Sequence, residues 1–235
     1  MSAIAAVVFD WGGTLTPWHE VDLRAQWYAY AEVYDPVHAG SLAEALAQAE
    51  QHRYDRQRAS DGVEGCGTLE SMFGDAGIDT ASSAHLHAME AYLEFWGPHT
   101  YADPAAADLL RGLRAAGLKI GVLSNTMWPA AHHQQVFARD ELLHLIDAAV
   151  YTSDLPVGKP HARAYEAILD RLRVQAAEAV YVGDRLIEDV AGPQRMGMRA
   201  IWLPNGLPQI RDLGIVPDAV IESLAQVADV VAAWS

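Results

Sequence analysis

Short apolar runs alternate with helix-like stretches over the second half of the chain, and this alternation constrains the fold more than any other feature. Residues 7–9 (VVF) form a first apolar run near the start of the chain. Later runs lie at residues 119–123, 148–151, 179–182, 200–203 and 219–221. The stretches that separate the later runs have helical periodicity. Repeated strand, helix and strand units predict an α/β fold built on a doubly wound parallel sheet.

Residues 17–98 depart from this alternation and predict one helix after another, with few β-branched residues. Trp27 and Tyr30 recur there at helical spacing, and we interpret such aromatic side chains as packing residues. Because the block separates the first strand from the others, we expect it to be inserted as a cap over the carboxyl edge of the sheet. The predicted division is a Rossmann-like core domain of residues 1–16 and 99–235 and a helical cap domain of residues 17–98.

Composition limits the class of partner. The chain has 235 residues and a formal net charge of −15, which disfavours binding to nucleic acid or to an anionic membrane. An anionic substrate would therefore need local cations. No apolar run is long enough to span a bilayer, and Cys66 is the only cysteine, so we expect a reducing, cytoplasmic location. The expected partner is a small molecule, bound by a monomer or a homodimer.

Polar residues stand where the predicted strands end. Asp10 follows the first strand, and Gly12 and Gly13 allow the backbone to turn sharply and bring its amides close to an anion. The later strand ends carry Ser124, Asn125, Lys159, Asp184 and Asp189. The carboxyl ends of parallel strands share one edge, where open α/β sheets bind ligands. We therefore predict that these residues form a single site.

Each of these residues also has a purely structural interpretation. Asp10 and Ser124 could cap the segments that follow them. Glu188 and Asp189 are acids of the kind favoured in the first turn of a helix. Lys159 could lie in solvent, although a chain with only two lysines that places one before a proline at a strand end favours a specific role.

Four motifs in this order resemble those of the haloacid dehalogenase superfamily. Their central residues are Asp10, Ser124, Lys159 and the pair Asp184 and Asp189. The resemblance covers nearly the whole predicted core. It implies that Asp10 is a nucleophile that forms an aspartyl-phosphate and so divides one displacement into two easier steps. It also implies that Asp10, Asp184 and the backbone carbonyl of Gly12 bind Mg²⁺, which prefers hard oxygen ligands.

The same resemblance implies roles for the remaining residues. Ser124 and the backbone of Asn125 would bind phosphoryl oxygens, and Lys159 would place its cation against them. Asp189, or the adjacent Glu188, would orient Lys159 or a metal-bound water. The implied activity is Mg²⁺-dependent hydrolysis of a small phosphorylated metabolite, with a cap that closes over the substrate.

Gly12 departs from the superfamily pattern. Phosphatases of this superfamily usually carry a second Asp there to protonate the leaving group, and loss of a general acid costs about 10²–10⁴ in rate. Gly12 and Gly13 would still contact the substrate through their backbone. The first motif, DWGGT, is most similar to the DWAGT form of phosphonoacetaldehyde hydrolase, whose Schiff-base chemistry needs a cap lysine. Residues 17–98 contain no lysine, and this disfavours C–P hydrolysis of that kind.

Several hypotheses about activity therefore stay open. A phosphoesterase could borrow a cap histidine as its acid and base. The candidates are His19, which is nearest the first motif, and His38, His52, His85 and His87. The enzyme could instead act slowly, or on substrates with good leaving groups such as acyl phosphates. A further alternative is dehalogenase-like C–halogen hydrolysis, which works without metal and would not need the pair Asp184 and Asp189. The last alternative is a catalytically weakened protein that only binds a phosphorylated ligand.

Overall fold

The computed structural model describes residues 3–205 and 213–234. Its strands are β1 (Ala6–Phe9), β2 (Lys119–Ser124), β3 (Ala148–Tyr151), β4 (Ala179–Gly183), β5 (Arg199–Trp202) and β6 (Ala219–Val220). They form one sheet in the order β3-β2-β1-β4-β5-β6, in which every neighbouring pair is parallel. The predicted Rossmann-like α/β fold is confirmed.

Helices connect the strands. They are α1 (Leu23–Tyr34), α2 (Ala39–Ala59), α3 (Leu69–Asp75), α4 (Ser83–Trp96), α5 (Ala106–Ala115), α6 (Ala130–Arg139), α7 (Ala162–Leu172), α8 (Gly192–Met196) and α9 (Val227–Ala233). Across residues 3–205 and 213–234, no helix combines the length and the apolar character needed to cross a membrane.

The sheet is covered on both faces, and β1 lies in its middle. Val7 and Phe9 belong to the same buried cluster as residues of α5 and α9, whereas Ala6 and Val8 belong to a cluster with residues of α7. All four side chains are fully buried, as expected for a central strand of a parallel sheet. The chain runs outward from β1 through β2 to β3 and then returns to β4 on the other side. This reversal places the topological switch point, and hence the expected ligand crevice, at the carboxyl end of β1.

Helices α1 to α4 lie between β1 and β2 in the chain and build a hydrophobic cluster of their own. Trp27 stacks on Tyr92 with ring centroids 4.8 Å apart, and Tyr30 stacks on Phe73 at 5.0 Å. Trp27 and Tyr30 are fully buried, which confirms their interpretation as packing residues. Trp128, which follows β2, packs into the same cluster. The helical block therefore contacts the carboxyl edge of the sheet, while the domain boundaries themselves stay a prediction.

One predicted element has a different form. The sequence predicts a single helix over residues 185–196, but the structure has a π-helical segment, Leu186–Ala191, followed by α8. Pro193 lies at the start of α8 and has no N–H to donate to the carbonyl of Asp189, so regular α-helical hydrogen bonding cannot continue through this point. The change of helix type matters because Asp189 is one of the predicted site residues.

Candidate active site

The carboxyl edge of the sheet brings the predicted site residues together. The register pairs Phe9 of β1 with Val122 of β2 and with Val182 of β4. Asp10, Ser124 and Asp184 stand at or just beyond the ends of these three neighbouring strands. All three side chains are buried. The site thus lies at the switch point, where a doubly wound sheet leaves its crevice.

Three carboxylates converge beside this crevice. Asp10, Asp184 and Asp189 each offer an oxygen, and these oxygens lie within 4.8 Å of one another. Burial, together with repulsion from the other two carboxylates, raises the pKa of Asp184 to about 8. Burial also raises the pKa of Asp10, against the opposing effect of Lys159. A buried set of oxygen donors whose charges repel one another fits a divalent cation, and Mg²⁺ in particular prefers such donors.

Lys159 lies inside this cluster. Its Nζ is 2.7 Å from Asp189 Oδ1 and 3.1 Å from Asp10 Oδ1, and it donates a hydrogen bond of 2.8 Å to the hydroxyl of Tyr181. Burial alone would lower the pKa of Lys159, but Asp10 and Asp189 raise it above its ordinary value. The side chain is only 2% exposed. The alternative that Lys159 points into solvent is therefore wrong.

Hydrogen bonds fix the backbone and the side chain of Lys159. Asn125 Oδ1 accepts from Lys159 N at 2.8 Å, and Asn125 Nδ2 donates to Lys159 O at 3.0 Å. The hydroxyl of Tyr181 donates to the carbonyl of Leu123 at 2.7 Å, which leaves it an acceptor for Lys159 Nζ. The side chain of Asn125 thus holds the lysine loop in place, a role that the sequence analysis did not assign to it.

Asp189 and Asp184 differ in what surrounds them. Asp189 Oδ1 faces Lys159, and its Oδ2 accepts from the backbone N of Arg185 at 2.9 Å. Asp184 Oδ2 accepts from Asn205 Nδ2 at 2.8 Å. Both oxygens of Asp189 thus contact protein groups, and this geometry suits Asp189 to orienting the lysine.

The two glycines after Asp10 serve different purposes. Gly13 has a φ of +81°, and a Cβ there would lie 2.5 Å from Asn205 Nδ2 and 2.9 Å from Asp184 Oδ2. Its N–H donates to the carbonyl of Thr16 at 2.7 Å, so the prediction that the Gly13 amide faces a bound anion is not supported. A Cβ at Gly12 would meet no atom of the described residues within 4 Å.

A cavity of about 290 Å³ opens above the cluster. Its sheet side is lined by Asp10, Gly12, Ser124, Asn125, Lys159 and Arg185. Its cap side includes residues of α2, among them Glu50, Tyr54 and Gln57. The sequence analysis missed the lining residues Arg185, Glu50 and Gln57. Arg185 directly follows Asp184 and could have been found there, but only the packing of α2 shows which of its side chains face the cavity.

The five cap histidines do not line this cavity. His85 is buried, with Nδ1 2.8 Å from the hydroxyl of Tyr30, and His38 pairs with Asp35 at 2.9 Å. The other three, His19, His52 and His87, are exposed. The hypothesis that one of these histidines replaces the missing acid and base therefore finds no support, because none of the five side chains lines the cavity.

The sequence and the fold are similar to those of known hydrolases. The sequence matches the family described as haloacid dehalogenase-like hydrolase over residues 4–197. It is 27% identical to glyceraldehyde 3-phosphate phosphatase of Methanopyrus kandleri, and the alignment covers 97% of each chain. It is 26% identical to (S)-2-haloacid dehalogenase of Pseudomonas putida, also over 97% of each. The fold is similar to a crystal structure of HAD phosphatase from Thermococcus onnurineus, with a TM-score of 0.70, 22% identity and 97% of each chain covered.

Proposed function

The chain belongs to the haloacid dehalogenase-like hydrolases, and we propose that within this family it is a Mg²⁺-dependent hydrolase of small phosphorylated metabolites. The observation that supports this choice is a second buried carboxylate, Asp184, which has an oxygen within 4.8 Å of an Asp10 oxygen. A nucleophilic displacement that used only the Asp10 carboxylate would not be helped by the negative charge of Asp184 beside it. A divalent cation offsets this repulsion and lets an anionic phosphoryl group approach. The similarity to a glyceraldehyde 3-phosphate phosphatase agrees with this substrate class.

Asp10 is the proposed nucleophile. One of its oxygens attacks phosphorus, the bond from phosphorus to the ester oxygen breaks, and the alcohol leaves with a proton from solvent. Water then attacks phosphorus, gives up a proton to solvent, and displaces the Asp10 carboxylate to release inorganic phosphate. Mg²⁺, held by Asp10, Asp184 and the carbonyl of Gly12, would neutralise charge on the phosphoryl oxygens.

The other residues hold the phosphoryl group and the lysine. Ser124 and Lys159 line the cavity beside Asp10 and would donate to phosphoryl oxygens. Asp189 stabilises the protonated form of Lys159, since Asp189 Oδ1 and Lys159 Nζ are 2.7 Å apart and both side chains are buried. Arg185 lines the same side of the cavity and adds a second cation for an anionic substrate.

Gly12 defines the kind of ester that this chain can cleave well. Without a carboxylate at this position, protonation of the leaving oxygen falls to solvent, so we propose that turnover is slow or that the substrate has a good leaving group. The open space at Gly12 means that Gly12→Asp can be accommodated. We expect this variant to hydrolyse an aryl phosphate about tenfold faster or more, because it restores an acid. Gly12→Asn, of the same size but without the acid, is the matched control.

The proposed function is tested by a substrate screen with and without Mg²⁺. Phosphate esters, phosphonates and 2-haloacids are offered to the wild-type protein and to Asp10→Asn, and release of phosphate or halide is measured. We expect phosphate release that needs Mg²⁺ and disappears in Asp10→Asn. A folded protein that binds Mg²⁺ but releases phosphate from no ester, and holds phosphate or beryllium fluoride at Asp10, would instead be a binding protein.

A second candidate is hydrolysis of a carbon–halogen bond. It is favoured by the full-length similarity to the Pseudomonas putida dehalogenase and by the lack of an acid at Gly12. Release of chloride from 2-chloropropionate in the presence of a chelator, with no phosphate release from any ester, would establish this activity in place of the first.

A further inference from the structure

Glu50 is a buried carboxylate on the cap side of the cavity. It is 7% exposed, and its Oε2 accepts from Gln26 Nε2 at 2.7 Å and from Trp27 Nε1 at 2.8 Å. The amide of Gln26 is oriented by Trp96 Nε1, which donates to Gln26 Oε1 at 2.7 Å. Both groups that contact Oε2 are therefore N–H donors. Oε1 is left as the oxygen that can meet a ligand.

No protein cation neutralises Glu50 in the part of the chain that the structure describes. Arg58, the cavity-lining cation of the same helix, pairs with Asp55. Burial raises the pKa of Glu50, although its hydrogen bonds to Trp27 and Gln26 oppose this effect. A buried carboxylate that lacks a cation is stabilised by a ligand that supplies one.

Three tryptophan side chains that pack on one another line the same cavity as Glu50, and we call them the tryptophan wall. Trp11, Trp96 and Trp128 line the cavity, with ring centroids 5.7 Å apart for Trp11 and Trp128 and 5.2 Å apart for Trp96 and Trp128. The N–H groups of Trp96 and Trp128 are occupied by Gln26 and by the hydroxyl of Tyr92. Trp11 Nε1 is buried and has no hydrogen-bond partner among the described residues. Apart from this N–H group, the three rings offer a ligand carbon surface, whose negative faces attract cations.

Gln57 supplies a donor on the same face of α2. It is 2% exposed and lines the cavity, and its Nε2 has no hydrogen-bond partner among the described residues. Glu50 and Gln57 are seven positions apart on α2, which is close to two full turns, so both lie on one face of the helix. Gln57 therefore adds a polar side chain to the cavity-lining face that carries Glu50.

We propose that Glu50 and the tryptophan wall bind an ammonium group, so that the substrate is the phosphate ester of a small amino alcohol. The assignment of the ester rests on the proposed phosphatase function, whereas the ammonium site itself does not. A neutral, hydroxylated substrate would need several hydrogen-bonding partners along its length, and the indole surface offers few. A zwitterionic ester matches both ends: a cation at Glu50 and an anion at Lys159.

The test compares two esters that differ only in charge. In 2-aminoethyl phosphate an ammonium group stands where propyl phosphate has a methyl group. We expect kcat/KM to be about tenfold higher or more for the aminoethyl ester, because a desolvated cation gains from both the carboxylate and the rings. Glu50→Gln, which keeps the size of the side chain, should remove this preference by slowing the aminoethyl ester alone. Glu44→Gln, on the same helix but outside the cavity, should leave it unchanged.

A binding measurement separates this inference from the phosphatase proposal. Titration with 2-aminoethanol should change the tryptophan fluorescence of the wild-type protein to saturation, whereas 1-propanol should not, and Glu50→Gln should abolish the response. Binding of the amine without hydrolysis of any ester would overturn the phosphatase proposal and keep the ammonium site. Equal kcat/KM for the two esters, or no response to the amine, would overturn the ammonium site. If Glu50→Gln failed to fold, the comparison of the two esters with the wild-type protein would still test the ammonium site.

Discussion

His133, on α6 behind the wall of the cavity, offers a prediction whose size follows from the structure. Its ring is fully buried, stacks on Tyr151 with centroids 4.3 Å apart, and meets the edge of Trp11 at 4.6 Å. Nε2 lies 3.3 Å from Thr126 Oγ1, and Nδ1 has no partner in the described chain. Burial, with a smaller effect from neighbouring His132, lowers the pKa of His133 to about 3.

The sign and size of the pH effect follow from linkage. The ordinary pKa of histidine is 6.5, so the unfolded chain binds a proton at position 133 before the folded chain does. The stability of the fold is therefore unaffected by His133 above pH 6.5, and His133 lowers the free energy of unfolding as the pH falls from there towards about 3. At pH 5 the difference is about 1.5 pH units, and at about 1.4 kcal/mol per unit His133 alone costs about 2 kcal/mol of unfolding free energy.

The change to test is His133→Phe, which keeps an aromatic ring against Tyr151 and removes the titrating group. Unfolding in urea, followed by circular dichroism, gives the free energy of unfolding at pH 7.5 and at pH 5.0 for each protein. We expect the loss between these two pH values to be about 2 kcal/mol smaller in the variant than in the wild type. His87→Phe, at an exposed position of α4, is the control and should behave like the wild type.

His132 remains in every protein of this set, so its contribution cancels. Burial lowers its pKa to about 4, and it adds an equal loss to the wild type and to the variant. If the wild type and His133→Phe lost the same free energy between the two pH values, His133 would not be held neutral by burial, and the reasoning above would be refuted.

Three more predictions concern the lysine cluster. Lys159→Met should lower kcat about 10²-fold or more, as measured by phosphate release. Without Mg²⁺ it should also destabilise the fold by about 3 kcal/mol in urea unfolding, because Asp10 and Asp189 lose their shared cation. Tyr181→Phe should cost about 1–3 kcal/mol of stability, as measured by urea unfolding, because it removes a buried hydroxyl with two partners. Gly183→Ala should cost a similar amount, since its Cβ would overlap Asp189, and thermal unfolding with an unchanged midpoint would contradict this.

The layout of the core could be predicted from local sequence patterns. Apolar runs of three to five residues, separated by helical stretches, predict a parallel sheet whose two faces are both covered by helices. Asp10, Ser124 and Asp184 follow such runs, and parallel strands bring their carboxyl ends to one edge. The proximity of these three residues could therefore be predicted, because it depends only on local sequence patterns and on the geometry that parallel sheets share.

The surroundings of that edge depend on contacts between distant parts of the chain. The burial of Lys159 depends on Tyr181, Asn125 and Asp189, which approach it from different parts of the chain. The cap side depends on how α1 packs on α2 and on α4, and this packing turns Glu50 and Gln57, instead of a histidine, towards the cavity. Periodicity tells which face of a helix is apolar, but a polar residue that faces a cavity has the same pattern as one that faces solvent. Long-range packing is what distinguishes them.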